Sequence, residues 1–164
     1  LVIRIYSLDK TLAEGLSNAF HLQSVLFEYT FKRNKQFLAD SLVGNGNGIV
    51  MQMLSPQSQL KELRLERLHL GNDHFLRIAE MLPTTQVHVL SVHKNSIERE
   101  GILAFARKLP KMKCLKKVIL SHNTWEHGRD PNDRSPSYQV CITALLKGMV
   151  GNYSIECLEL ARSE

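Results

Sequence analysis

Apolar residues recur along this chain in two alternating rhythms. In LKELRLERL from Leu60, VHVLSVHKN from Val87 and LKKVILSHN from Leu115, the first, fourth and sixth positions are apolar. The rows are Leu60/Leu63/Leu65, Val87/Leu90/Val92 and Leu115/Val118/Leu120. Their later positions alternate with the period of two that a strand requires. Between these segments Phe75, Ile78, Ala79 and Leu82 follow three- and four-residue steps, which place them on one face of a helix.

The two rhythms repeat together. Leu60 to Val87 is 27 residues and Val87 to Leu115 is 28. LHLGNDHFLRIAEMLP from Leu68 also lies over NSIEREGILAFARKLP from Asn95 without a gap, matching Leu70 with Ile97, Phe75 with Ile102, Ile78 with Phe105, Ala79 with Ala106 and Leu82 with Leu109. Each unit therefore reads as strand, turn, helix. One such unit cannot bury its own apolar face, so neighbours are expected to stack.

Weaker copies flank this core. Leu26/Tyr29/Phe31 with Asn34 marks an earlier unit, Ile155/Leu158/Leu160 a later one, and LVIRIY followed by Leu8, Leu12, Leu16 and Phe20 a further strand and helix. Strands are predicted near 1–6, 26–31, 60–65, 87–92, 115–120 and 155–160, in a single domain of about five to six repeats over residues 1–164. Two longer intervals, Leu26 to Leu60 and Leu115 to Ile155, place insertions near 35–48 and 126–136. Turn formers gather there: Gly44, Gly46 and Gly48 in the first, Pro131 and Pro136 in the second.

The pattern LxxLxLxxN followed by a helix is cleanest in VHVLSVHKNSI and LKKVILSHNTW. It resembles the leucine-rich repeats of the ribonuclease-inhibitor-like class, in outline over the whole chain and in detail over residues 60 to 125. The resemblance implies an α/β fold, a horseshoe solenoid with a parallel β-sheet on the concave side and helices on the convex side. It also implies that Asn95 and Asn123 satisfy backbone groups at the turn, a pattern from which Leu68 departs. Neither end carries a polar capping unit, so the chain is expected to be a piece of a longer protein.

In each strand the residues between the leucines should project from the outer face of the sheet. They are Glu28, Thr30, Lys32 and Arg33; Glu62, Arg64, Glu66 and Arg67; Val89, Ser91, His93 and Lys94; Lys117, Ile119, Ser121 and His122; then Cys157, Glu159, Ala161 and Arg162. The expected partner-binding residues are Glu62, Arg64, Glu66, Ser91, His93, Lys94, Lys117, Ser121, His122 and Glu159. Mixed charge suits a protein partner of unknown identity. Equally, charges on neighbouring strands can pair with each other.

Composition narrows the alternatives. A chain of 164 residues, 43% hydrophobic and 23% charged, can bury a core. The net charge of +5 is concentrated in Arg107, Lys108, Lys111, Lys113, Lys116 and Lys117. Weak nucleic-acid binding there is a minor alternative, because the stretch lacks aromatic residues and lies at a helix end, where lysine is favourable. Three cysteines, Cys114, Cys141 and Cys157, fit neither a disulfide framework nor a metal knuckle, and favour a reducing, cytoplasmic setting. No run is long enough to span a membrane, and no signal peptide opens the chain, so no membrane partner is expected.

The remaining motifs are weak. His69/His74, His88/His93 and His122/His127 are five apart, whereas helical metal pairs need four, so no metal is expected. Gly44-Asn45-Gly46-Asn47-Gly48 lacks the Lys and Ser/Thr of a phosphate loop and reads as an extended turn before a helix. Asn152-Tyr153-Ser154 is a glycosylation triplet without secretory context, and Trp125 stands at an apolar core position. No nucleophile and base can be paired with reason, so neither catalysis nor a cofactor is expected. The expected function is a non-catalytic protein-interaction scaffold, its oligomeric state open. The resemblance adds one alternative, a regulatory module of a GTPase-activating or immune-receptor-like protein, in which Arg129 and Arg134 would be the arginines to examine.

Overall fold

The computed structural model describes residues 22–28, 35–44, 48–126 and 136–160. Five strands form one parallel sheet in sequence order: β1 (Ser24–Glu28), β2 (Glu62–Glu66), β3 (Val89–Ser91), β4 (Lys117–Ile119) and β5 (Cys157–Glu159). Helices fill the crossovers. They are α1 (Lys35–Val43) and α2 (Ile49–Met53) after β1, α3 (Asn72–Met81) after β2, α4 (Arg99–Lys108) after β3, and α5 (Pro136–Val150) after β4. Short 3-10 turns follow α3 at Leu82–Thr84 and α4 at Leu109–Lys111, each opened by a leucine and a proline. A proline there continues the turn while withholding the N–H an α-helix would need.

Burial separates the two faces of the sheet. Leu63, Leu65, Leu90, Val92, Val118 and Leu120 enter one core cluster with Phe75, Ile78, Phe105 and Leu109 from the helical layer. The alternate residues, Glu62, Arg64 and Glu66 on β2, stay partly exposed. Each helix packs mainly on its sequence neighbours: α1 on α2 and α3, α3 on α4, α4 on α5. This gives the nearest-neighbour stacking of a repeat array. At the α4–α5 contact, a Cβ on Gly148 would stand 2.3 Å from the carbonyl oxygen of Ala106, so only glycine lets the helices approach this closely.

The register is written in the main chain. The carbonyl of Gln23 accepts from Lys61 and Glu62, that of Lys61 from His88 and Val89, that of His88 from Lys116 and Lys117, and that of Lys116 from Glu156 and Cys157. The same two-to-one bond thus recurs at the second residue of every unit, and it aligns Leu60, Val87, Leu115 and Ile155.

It also corrects the first unit. Val25 pairs with Leu63 and Phe27 with Leu65, so the repeat row is Leu22/Val25/Phe27, not Leu26/Tyr29/Phe31. Leu26 lies on the open face opposite Arg64. The segment near 35–48, expected as an inserted loop, is largely helix α1, whose Ala39, Leu42 and Val43 are buried. The strand expected near 1–6, the core of the second insertion and Asn34 lie outside the described residues.

Turn geometry repeats even where the sequence does not. Arg67, Lys94 and His122, one in each central unit, all have positive φ, at 59°, 56° and 60°. The next residue is Leu68, Asn95 or Asn123. Asn95 Oδ1 accepts from the N–H groups of Leu68 and Leu70, and its Nδ2 donates to the carbonyls of Leu65 and Val92. Asn123 repeats this one unit on, accepting from Ile97 N–H and donating to Val92 and Leu120 carbonyls. Each asparagine therefore closes the turn of the preceding unit as well as its own. Leu68 lacks an amide, yet its turn is completed from Asn95, and its side chain is buried.

Candidate functional site

The open face of the sheet brings together every described residue that sequence reasoning assigned to it. Register lays them out in rungs: Ser24, Glu62, Val89, Lys117 and Cys157, then Leu26, Arg64, Ser91, Ile119 and Glu159. Glu28 and Glu66 pair in a third rung, followed in the next units by His93 and Ser121. Glu28 thus belongs to the face by its pairing with Glu66, at a later position of its unit than the sequence pattern implied. Thr30, Lys32, Arg33, Ala161 and Arg162 lie outside the described residues.

Charges on this face pair across and along strands. Arg64 Nε donates to Glu62 Oε1 at 2.6 Å, and its guanidinium lies 3.7 Å from Glu66. Ser24 Oγ donates to the other Glu62 oxygen at 2.9 Å. Ser91 Oγ donates to Glu66 at 2.9 Å, and Arg67 lies 3.8 Å from Glu28. Lys117 meets Glu159 at 2.5 Å. Of the two readings the sequence left open, cross-strand charge pairing is present at Arg67 with Glu28 and at Lys117 with Glu159, while Arg64 pairs along its own strand.

Three ionisations carry its imprint. Burial raises the Glu62 carboxyl, but hydrogen bonds from Arg64 and Ser24, with the Arg64 charge, outweigh it and hold Glu62 below its ordinary value. His93 is held below the ordinary imidazole value by burial and by the charges of His122, Arg67 and Lys94, against an opposing pull from Glu66. The hydrogen bond and charge of Glu159 raise the partly exposed Lys117.

Two predicted contact residues change role. Ser91 and Ser121 are buried beneath longer neighbours, with their hydroxyls engaged by Glu66 and His93. They support the face and do not present themselves to a partner. The surface is made by Glu62, Arg64, Glu66, His93, Lys94, Lys117, His122 and Glu159, all at least partly exposed.

Other candidates resolve into structure. Asn152 is buried: its Nδ2 donates to the Leu109 and Met112 carbonyls and its Oδ1 accepts from Ser154 N–H, so the glycosylation triplet is a turn. Trp125 is buried, donates to the Leu120 carbonyl at 3.4 Å and stacks on Tyr138 with centroids 5.4 Å apart. In the basic stretch Lys108 meets Glu80, Lys116 meets Glu156 and Lys117 meets Glu159, while Arg107, Lys111 and Lys113 face solvent. His74 bonds Asp40 at 2.8 Å, and no cluster of three metal-ligating side chains occurs among the described residues. No helix among them is long and apolar enough to cross a membrane.

Sequence reasoning passed over the outer side of the last unit. Leu146, Val150 and Tyr153 are 56%, 78% and 96% exposed. With Ile155 aligned on Leu115, Leu146 falls at the place of Ala106, which α5 covers in the preceding unit. That alignment was the available signal.

No protein-family model matches the chain, and no curated protein matches it. Among solved structures, leiomodin-1 actin-binding site 2 superposes with a TM-score of 0.67 at 15% identity, covering 94% of this chain and 81% of that one. The tropomodulin C-terminal domain from Caenorhabditis elegans does so with a TM-score of 0.61 at 12% identity, covering 93% and 84%. These likenesses correct the ribonuclease-inhibitor-like assignment. LxxLxLxxN states what any parallel-strand unit with an asparagine turn requires, so it identifies the unit and not the class of array. The chain has an α/β, leucine-rich-repeat-like fold shared with the leiomodin and tropomodulin domains.

Proposed function

We propose that this chain is a non-catalytic, intracellular protein-binding module that uses the open sheet face as its interface. The observation that carries the reading is that face itself: five parallel strands present a mixed-charge surface with the opposite side packed into the core. Protein interfaces of this polarity gain specificity from charge complementarity. The likeness to leiomodin-1 actin-binding site 2 supports actin as the first partner to test. In this reading the stacked units continue the sheet as the concave side of a horseshoe, in a single repeat domain. The odd cysteine count supports an intracellular setting. The GTPase-regulating alternative rested on the ribonuclease-inhibitor-like class and falls with it; Arg129 and Arg134 lie outside the described residues.

Co-sedimentation with filamentous actin, and titration against monomeric actin, test both parts. Charge reversal at Arg64, His93 and Lys117 together should weaken binding about tenfold or more. L146D with V150D, on the far side of α5, should leave it within about twofold if the sheet face is the interface. The opposite ranking would move the interface to α5. Absence of binding to either form of actin would reject actin.

A further inference from the structure

Where the strands of the central units turn toward their helices, cationic side chains gather along one rim of the open face. Arg67, Lys94 and His122 occupy the same position in consecutive units, held by the same positive-φ turn. Adjacent strands lie about 4.8 Å apart, so the three step across the rim over roughly 10 Å. Inside the row sits His93. Its Nδ1 lies 2.9 Å from Ser121 Oγ, and its ring meets that of His122 edge-on with centroids 4.8 Å apart.

The charged groups facing His93 are Glu66, His122, Arg67 and Lys94. Of the acids on this side, Glu66 is shared between Ser91 and Arg64, and Glu28 lies 3.8 Å from Arg67. Among the described residues neither Lys94 nor His122 forms an ion pair. Elsewhere on the face, cations are matched: Arg64 by Glu62, and Lys117 by Glu159. Among the described residues the rim therefore carries the face's unpaired lysine, Lys94, beside Arg67 and the two histidines.

We propose that the Arg67, His93, Lys94 and His122 rim receives an acidic segment of the protein partner, and that the two histidines strengthen the contact as pH falls. An extended segment places alternate side chains about 6.6 Å apart, so two carboxylates span the row. Protonation of His93 is opposed in the free chain by burial and by the neighbouring charges of Arg67 and Lys94, against the pull of Glu66. A bound carboxylate offsets that repulsion, so binding draws a proton onto His93 and affinity rises toward acid. A nucleic acid suits the face less well. Glu28, Glu62, Glu66 and Glu159 would repel a phosphate backbone extending beyond the rim, and no Phe, Tyr or Trp is among its described residues to stack on a base.

The inference deepens the protein-binding reading and rests on the open face being the interface. Its test uses probes independent of actin: a fluorescein-labelled hexaglutamate peptide, and an oligothymidylate of matched charge, titrated by anisotropy against the 164-residue chain. Peptide affinity should rise about threefold or more between about pH 8 and about pH 6. R67E with K94E should lower it at least about fivefold, whereas K111E with K113E, in the separate basic stretch, should change it less than about twofold. H93Q with H122Q should flatten the pH profile. Circular dichroism confirms folding of each variant, and K94E alone, at an exposed side chain, serves if the double variant does not fold.

Equal loss from the K111E/K113E variant, tighter binding of the oligothymidylate, or an unchanged pH profile in H93Q/H122Q would each overturn the proposal. Actin binding without rim-dependent peptide binding would reject the rim and leave the face. Rim-dependent peptide binding without actin binding would reject actin and leave the rim.

Discussion

The asparagine turns and the charged face are both ladders of polar side chains reaching from one unit to the next, but one stands in the core and the other in water. Asn95 and Asn123 are buried and bond main-chain groups that have no access to solvent. Arg67 with Glu28, and Lys117 with Glu159, join neighbouring units while at least partly exposed, and water can replace any bond they lose. An unsatisfied buried polar group costs about 1–3 kcal/mol, whereas an exposed ion pair contributes about 0–1 kcal/mol. The comparison divides the molecule into a ladder that holds the architecture and a ladder that can be rewritten for a partner.

The largest expected effect comes from breaking the first. Asn95→Ala strands the N–H groups of Leu68 and Leu70 and removes the Asn95 bond to the Leu65 carbonyl, while Val92 keeps its bond from Asn123, and should lower stability by about 3 kcal/mol. Urea denaturation measures it. A loss below about 1 kcal/mol would mean that water enters the turn and that the two ladders do not differ in kind.

A second effect sharpens how units are coupled. Asn72 Oδ1 accepts from the N–H groups of Glu98 and Gly101, and so caps α4 from the preceding unit. A Cβ on Gly101 would stand 2.5 Å from that oxygen. Gly101→Ala should therefore cost about 1–2 kcal/mol, the value of a lost cap. In an Asn72→Ala background the same change should cost much less, because the obstructing oxygen is gone and alanine is the better helix residue. Additive losses in thermal denaturation of the four-member cycle would refute the cap.

The smallest effects belong to the open face. Arg64→Ala should cost less than about 1 kcal/mol. Glu62 is held below its ordinary value in the folded chain, so the unfolded chain takes up the proton first as pH falls. Its contribution is present above the ordinary carboxylate range, near 4.3, and is lost as pH falls through the lower folded value. Glu62→Gln should flatten the acid limb of a stability-versus-pH curve without moving the neutral plateau by more than about 1 kcal/mol.

The same contrast explains what the sequence could reveal. Helix and strand rhythms at Leu60, Val87, Leu115 and Ile155 are fixed by burial, which leaves a periodic trace. The first unit misleads because Leu22/Val25/Phe27 and Leu26/Tyr29/Phe31 have identical spacing, and only pairing of Val25 with Leu63 separates them. Helix α1 was hidden by the glycines that follow it. The face residues were legible from alternation, but not that Ser91 and Ser121 are covered, since that depends on the length of side chains one strand away. Asn72 gave no signal because the helix it caps belongs to the next unit. The class of array was not legible either, because the motif describes one unit and says nothing of how the whole array is built.

Because Asn95 and Asn123 each complete the turn before them, the units that begin at Leu60 and Val87 are not finished until their successors are in place. Free energy that would be intrinsic to a self-contained repeat is here held at the junctions between repeats, and strong junctions with weak units make a modular chain melt as one body. The array should therefore unfold in a single cooperative step although its described helices pack mainly on their sequence neighbours, with order propagating back from each newly docked strand toward the N-terminus.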